Sequence, residues 1–180
     1  MGFVDKFSFT EKKLMAFYLG GRLAGINIEC HDIQFYVGKD YKEVLPRINK
    51  NWKGTKSSLH IDSWIVLDQC DQHDILLSES PSTSKLRLYL LNIGYYKKQS
   101  FGEYHEFLFV VASSKSEAKN NALAQFDKAF IEAHMDDLFD VDDCIEVSTV
   151  DNLHIHLRPN DQSELNTINN GWQRIPKEAL

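Results

Sequence analysis

Glu29-Cys30-His31-Asp32-Ile33-Gln34-Phe35-Tyr36-Val37 returns later in the chain as Glu103-Tyr104-His105-Glu106-Phe107-Leu108-Phe109-Val110-Val111. The shift is 74 residues (29 to 103), and it also carries His60-Ile61-Asp62 onto His134-Met135-Asp136, and Asp68 and Cys70 onto Asp142 and Cys144. Similarity at one fixed distance marks a duplicated structural unit. Period-2 alternation makes the repeated stretch a strand with Glu29, His31, Ile33, Phe35 and Val37 on one face. Directly after it, Asp40-x-x-Glu43 stands opposite Ser114-x-x-Glu117. In each, a short oxygen side chain followed three residues later by a glutamate satisfies the free amides of a helix's first turn. Val44, Ile48 and Trp52 then follow at helical spacing, matched by Ala118, Ala122 and Phe126. Gly54 is the expected stop of the first helix.

Working outward, copy one is expected over residues 14–77 and copy two over 85–158. The polar, proline-bearing segment 78–84 is the expected linker, and 159–180 an irregular tail pinned by Trp172. Each copy reads as an apolar strand, the strand quoted above, a helix and two further strands. The expected class is therefore α+β: a β-β-α-β-β unit used twice, with mixed sheets, one main helix per copy and a pseudo-twofold arrangement.

The chain has 180 residues, 43% of them apolar and 26% charged, which is ordinary globular usage. Its net charge of −6 argues against a phosphate backbone as partner. No apolar run approaches a membrane span, and residues 1–13 are too charged for a signal peptide. Cys30, Cys70 and Cys144 lack CxxC spacing and read as reduced thiols, so a cytoplasmic location is expected.

Phe17-Tyr18-Leu19-Gly20-Gly21, then Glu29-x-His31-Asp32, then His60-Ile61-Asp62-x-Trp64, resembles a bacterial family, domain of unknown function 1543, most clearly from Phe17 to Leu77. Copy two resembles a diverged duplicate, with Leu91-Asn92-Ile93-Gly94 in place of the glycine pair and Leu138 in place of Trp64. The resemblance implies inheritance as a unit and carries no activity, substrate or cofactor.

Candidate chemistry gathers on Glu29, His31, Asp32, His60 and Asp62, and again on Glu103, His105, Glu106, His134 and Asp136. A helix joining two parallel neighbouring strands would bring each set together at the strands' amino ends. We expect a hydrogen-bonded histidine–carboxylate network holding the strand starts, because buried polar groups need partners. The alternatives are a binding or catalytic site without metal, and a divalent metal site on His31, His60, Asp62, His105, His134 and Asp136. Gly20-Gly21 reads as a tight turn rather than a phosphate cradle, lacking GxGxxG. His154 and His156 read as a solvated strand face. The acidic run from Asp136 to Asp143 lacks the glycine and spacing of a calcium loop. No cysteine has the setting of a nucleophile, and no serine-triad pattern is present.

These readings lead to a non-enzymatic binding or regulatory module with a cleft between the repeats, serving an unknown small molecule or protein and requiring no cofactor. The alternative is a metal-assisted hydrolase built on the repeated cluster.

Overall fold

In the computed structural model, which describes residues 7–97, 99–130, 139–162 and 165–176, each half opens with an antiparallel hairpin. Strand β1 (Lys13–Gly21) pairs with β2 (Cys30–Gly38), and β6 (Arg87–Tyr95) pairs with β7 (Tyr104–Ala112). A helix follows each hairpin: α1 (Tyr41–Asn51) and α2 (Lys115–Phe130). Both start as the capping pattern requires. Asp40 Oδ1 accepts from the amides of Lys42 and Glu43, and Glu43 accepts from the Lys39 amide. Ser114 Oγ accepts from the Glu117 amide, and Glu117 accepts from that of Ser113. Val44, Ile48 and Trp52 are buried, as are Ala118, Ala122 and Phe126. Strands β3 (His60–Leu67), β4 (Gln69–Cys70) and β5 (His73–Ser78) finish the first half; β8 (Phe139–Val147), β9 (Thr149–Val150) and β10 (Leu153–Pro159) finish the second.

The described residues are mostly strand, in three sheets ordered β11-β3-β1-β2, with β11 formed by Thr167–Arg174, then β4-β5-β10-β9 and β7-β6-β8. Two expectations are corrected here. The sheets are not mixed, because every pairing among the described residues is antiparallel; β2 and β3 run parallel but β1 lies between them as the partner of both. The tail is also not irregular. Residues Thr167–Arg174 form β11 along the edge of β3, and Ile175, not Trp172, is buried at its end.

The 74-residue shift holds through the hairpin and the helix as far as Phe126, but not to the third strand. Gly20 stands opposite His31 and Gly94 opposite His105, but the next partner of Gly20 is His60 and that of Gly94 is Asp140, 80 residues apart. Copy two therefore carries six more residues between its hairpin and its third strand. The equivalent of Asp62 is Asp142, and Trp64, not Cys70, corresponds to Cys144.

The copies join through β5 and β10. Their register sets Ile75 against Leu157, Leu77 against Ile155 and Leu76 against His156, so the pseudo-twofold passes through the Leu76–His156 pair. Two tight turns repeat across that axis. Asp71 and Asp151 both hold positive φ, 44° and 51°. Asp71 Oδ2 accepts from the Val111 amide of copy two, and Asp151 Oδ2 accepts from the Val37 amide of copy one, each at 2.7 Å. A core of Leu14, Val37, Leu77, Leu88, Val111 and Ile155 fills the space between the first and third sheets, while α1 and α2 cover their outer faces with separate apolar clusters.

Replacing Asp71 or Asp151 with Ala strips a buried amide of its acceptor and leaves alanine in a left-handed turn. Each change should cost about 1–3 kcal/mol in urea unfolding. Asp151→Ala should cost more, because Asp151 also pairs with Arg47. Asn, which keeps an acceptor and tolerates the turn, should be nearly neutral at both positions. Equal stability of the Ala and Asn variants would refute the cross-copy pins.

Candidate metal centre

Following each strand from the core end explains how the polar groups gather. On β1, Leu14, Ala16 and Tyr18 face copy two, whereas Met15, Phe17 and Leu19 face α1. On β3, Leu67 and Ile65 face copy two, and Val66 and Trp64 face α1. Strict alternation would then send His60 and Asp62 into the α1 core. A bulge prevents it: Ser63 opposes Tyr18, but Ile61 opposes Leu19, so Asp62 is the extra residue. Past the bulge, Ile61 enters the α1 cluster and His60 and Asp62 turn to the other face. Copy two repeats the device. Asp143 opposes Asn92, Val141 opposes Ile93 and enters the α2 cluster, and Asp142 is the extra residue.

Gly20 supplies the room. It lies on β1 between His31 of β2 and His60 of β3, and a Cβ there would overlap His60 Nε2 and come within 2.9 Å of Asp62 Oδ2. Gly94 plays the same part, where a Cβ would overlap Asp142 Oδ2 and come within 2.9 Å of Glu103 Oε1. The expected tight turn at Gly20-Gly21 is thus a stretch of extended strand whose first glycine is kept in copy two.

Around Gly20, His31 Nε2 lies 3.3 Å from Asp62 Oδ2 and 3.7 Å from Glu29 Oε1, and His60 Nε2 lies 3.5 Å from Asp62 Oδ1 and 3.8 Å from Glu29 Oε2. Glu29, His31 and His60 each bring one ligand atom within 4.8 Å of the other two. His60 is 5% exposed, and its Nδ1 lies 2.9 Å from the Ser58 carbonyl oxygen. A carbonyl can only accept, so Nδ1 carries a proton and Nε2 is the ring nitrogen that faces the cluster. Asp62 Oδ2 is buried and accepts no hydrogen bond. Tyr18 stacks on His31 at 5.0 Å, and burial, with the Asp62 charge adding to it, pushes its phenol pKa up. Trp172 of β11 lies over His60, with ring centroids 5.6 Å apart.

In copy two, His105 Nε2 lies 3.2 Å from Asp142 Oδ2 and 3.6 Å from Glu103 Oε2. These three residues also bring ligand atoms within 4.8 Å of one another. Asp140 stands in the place of His60, and its Oδ1 accepts from the Val141 amide.

Of the ten residues singled out in the sequence, Glu29, His31, His60 and Asp62 meet in one cluster, and Glu103 and His105 in the other. Asp32 instead accepts from Gln34, and both Asp32 and Glu106 border the groove between the sheets. His134 and Asp136 lie outside the described residues. Sequence reasoning missed Asp142 as a site residue, although Asp140-Val141-Asp142 repeats the polar–apolar–acidic pattern of His60-Ile61-Asp62. His154 and His156 take separate partners, Thr149 Oγ1 and the Ser80 carbonyl oxygen. The three cysteines are free, and burial drives the Cys70 thiol up to about 12.

The fold and clusters together define a duplicated, mostly β protein with two helices, three sheets and one histidine–carboxylate cluster per copy. The family described as Domain of Unknown Function (DUF1543) matches residues 26–77 and again residues 100–157, and the chain belongs to that family. The matched starts lie 74 residues apart (26 to 100) and the ends 80 apart (77 to 157), the same insertion that the strand register reveals. The chain is also similar to the crystal structure of a protein, Il1583, from Idiomarina loihiensis. The two are 36% identical with a TM-score of 0.71, over 92% of this chain and 99% of that one. No curated protein matches. Among the described residues, no helix is long and apolar enough to cross a membrane.

Gly20→Ala should destabilise the chain by about 1–3 kcal/mol, because the new methyl meets a buried imidazole that cannot yield. Gly94→Ala should cost less, since Asp142 is exposed and free to move. Thermal unfolding of the two variants checks the order, and an equal or inverted order would contradict the packing described.

Proposed function

We propose that this chain is a divalent-metal-binding module whose principal site is formed by Glu29, His31 and His60, with Asp62 beside both imidazoles. The supporting observation is the spacing. Contacts of 3.3–3.8 Å are long for N–H···O hydrogen bonds, and they leave a buried carboxylate oxygen without a donor. Ligands held ~2.0–2.1 Å from a tetrahedral zinc ion stand roughly 3.3–3.5 Å apart; Asp62 lies at that distance from both imidazoles, and Glu29 slightly farther, at 3.7 and 3.8 Å. The bond from His60 Nδ1 to a carbonyl is the usual way a metal-bound imidazole is oriented. A network built only to hold strands together would close these gaps with hydrogen bonds. Two nitrogens and a carboxylate suit zinc or a neighbouring first-row ion better than calcium or magnesium. The copy-two site, with one nitrogen and more exposed carboxylates, is the weaker of the two. Three free thiols support a reducing, cytoplasmic setting.

A metal-assisted hydrolase is the second reading, and Asp62 is what favours it. A carboxylate touching both imidazoles but outside the three-ligand set is placed to take a proton from metal-bound water.

Metal-loaded wild type should melt higher than the EDTA-treated protein, by about 2.7 kcal/mol of added stability when free zinc is a hundredfold above Kd. His31→Ala should abolish most of that response, and His105→Ala only a minor part. An identical melting curve with zinc and with EDTA, and no zinc retained after dialysis, would defeat the metal reading. Asp62→Asn separates the two functions: any ester hydrolysis by the zinc form should vanish in the variant while zinc remains bound.

A further inference from the structure

The two outer sheets close on the shared core and part toward the mouth. Along β2 and β7 alike, the last three residues are buried and the first three are not. Two cavities lie in the opening, of about 350 Å³ and about 400 Å³. They share Tyr18, Ile33, His105 and Phe107, so they are parts of one groove. The pseudo-twofold exchanges them, but their walls have diverged. On β6 and β8, Asn92 opposes Asp143, whereas the pair at the same place on β1 and β3 is Tyr18 and Ser63. The smaller cavity accordingly has a polar end, lined by Asn92 and Asp143 of copy two and Asp32 of copy one. The larger is walled by Ala16, Ile33, Ile65, Phe107, Phe109 and Ile168, with Glu106 at its border.

The polar end is rich in acceptors and short of donors. Asn92 Nδ2 donates to Asp143 Oδ2 at 3.3 Å, which makes Asn92 Oδ1 the acceptor of that amide, and this oxygen is buried with no hydrogen-bond partner. A buried oxygen left without a donor is costly, and an N–H group entering the groove would satisfy it. Among the described residues, no lysine or arginine lines either cavity. The two histidines on the walls, His31 and His105, direct their Nε2 atoms at Asp62 and Asp142, 3.3 and 3.2 Å away. We propose that the groove binds a primary organic amine, its ammonium group held by Asp32, Asp143 and Asn92 Oδ1 and its ring-sized apolar body lying along the larger cavity. Apolar walls leading to a few convergent polar groups are the usual make-up of a small-molecule site. A quaternary ammonium would bring the charge but no N–H for Asn92 Oδ1, and an anion would be repelled by both carboxylates. The inference goes beyond the metal reading and does not depend on it, because none of these contacts uses Glu29, His31, His60 or Asp62.

Calorimetry on the full chain in EDTA, with phenethylamine, ethylamine and hydrocinnamate as probes, separates the charge from the body. Phenethylamine should bind at one site per chain, at least about tenfold tighter than ethylamine, which lacks the ring. Hydrocinnamate, which keeps the ring and reverses the charge, should not bind. Asp32→Asn and Asp143→Asn, both at exposed positions, should melt as wild type does and each weaken phenethylamine several-fold. Equal binding of phenethylamine and hydrocinnamate, equal binding of phenethylamine and ethylamine, unchanged affinity in both variants, or no phenethylamine binding to wild type would each overturn the proposal. Because these titrations contain no free metal, such a failure would leave the metal reading standing, and that reading fails separately, on zinc binding by the wild type.

Discussion

A single extra residue opposite the Tyr18–Leu19 step decides which way the polar end of β3 faces. A strand alternates its side chains, so inserting one residue reverses every residue beyond it. Without the bulge, Ile61 would point into the groove, and His60 and Asp62 would press into the apolar cluster under α1, where two polar side chains would lose their hydration. With it, Ile61 packs against Phe17 and Leu19, and the imidazole and carboxylate arrive beside His31. The bulge in copy two does the same for Val141 and Asp142. Gly20 and Gly94 complete the device, because only a missing side chain on the central strand lets groups from both neighbours meet above it.

The duplication turns this local device into a groove. Pairing of β5 with β10 fixes the two halves about the Leu76–His156 pair, and Asp71 and Asp151 each tie a turn of one copy to the hairpin of the other. Those ties lie at the core end, near Val37 and Val111. The sheets therefore meet there and splay toward His31 and His105. The histidine–carboxylate clusters at the mouth and the apolar walls behind them follow from that one asymmetry.

Much of this was legible in the sequence because it depends on local patterns. The repeated strand, the two capping boxes and the buried helix positions Val44, Ile48, Ala118, Ala122 and Phe126 all follow from short-range chemistry. Glu29, His31, His60 and Asp62 stand together in the structure, whereas Asp32, read into the same group, pairs with Gln34 instead. Position of the strands was not legible, since helix-linked parallel neighbours and hairpin-flanked strands share one hydrophobic pattern. The insertion in copy two was hidden by coincidence: His134-Met135-Asp136 mimics His60-Ile61-Asp62 at the unbroken spacing, while the register places Asp140-Val141-Asp142 there. A bulge leaves no mark of its own in a sequence without comparison to strand partners. The tail misled for another reason. Asn, Gln and Gly are poor strand formers, and β11 exists because β3 offers it an edge.

Whether the side chains around Gly20 hold a metal ion, as we propose, is tested most directly by anomalous diffraction at the zinc edge from crystals of the zinc-loaded chain. The proposal predicts a peak between His31 and His60, ~2.0–2.1 Å from both Nε2 atoms and in contact with a Glu29 oxygen. Hydrogen bonds closing the four residues onto one another with no peak among them, or zinc only at surface histidines such as His73 and His154, would contradict it.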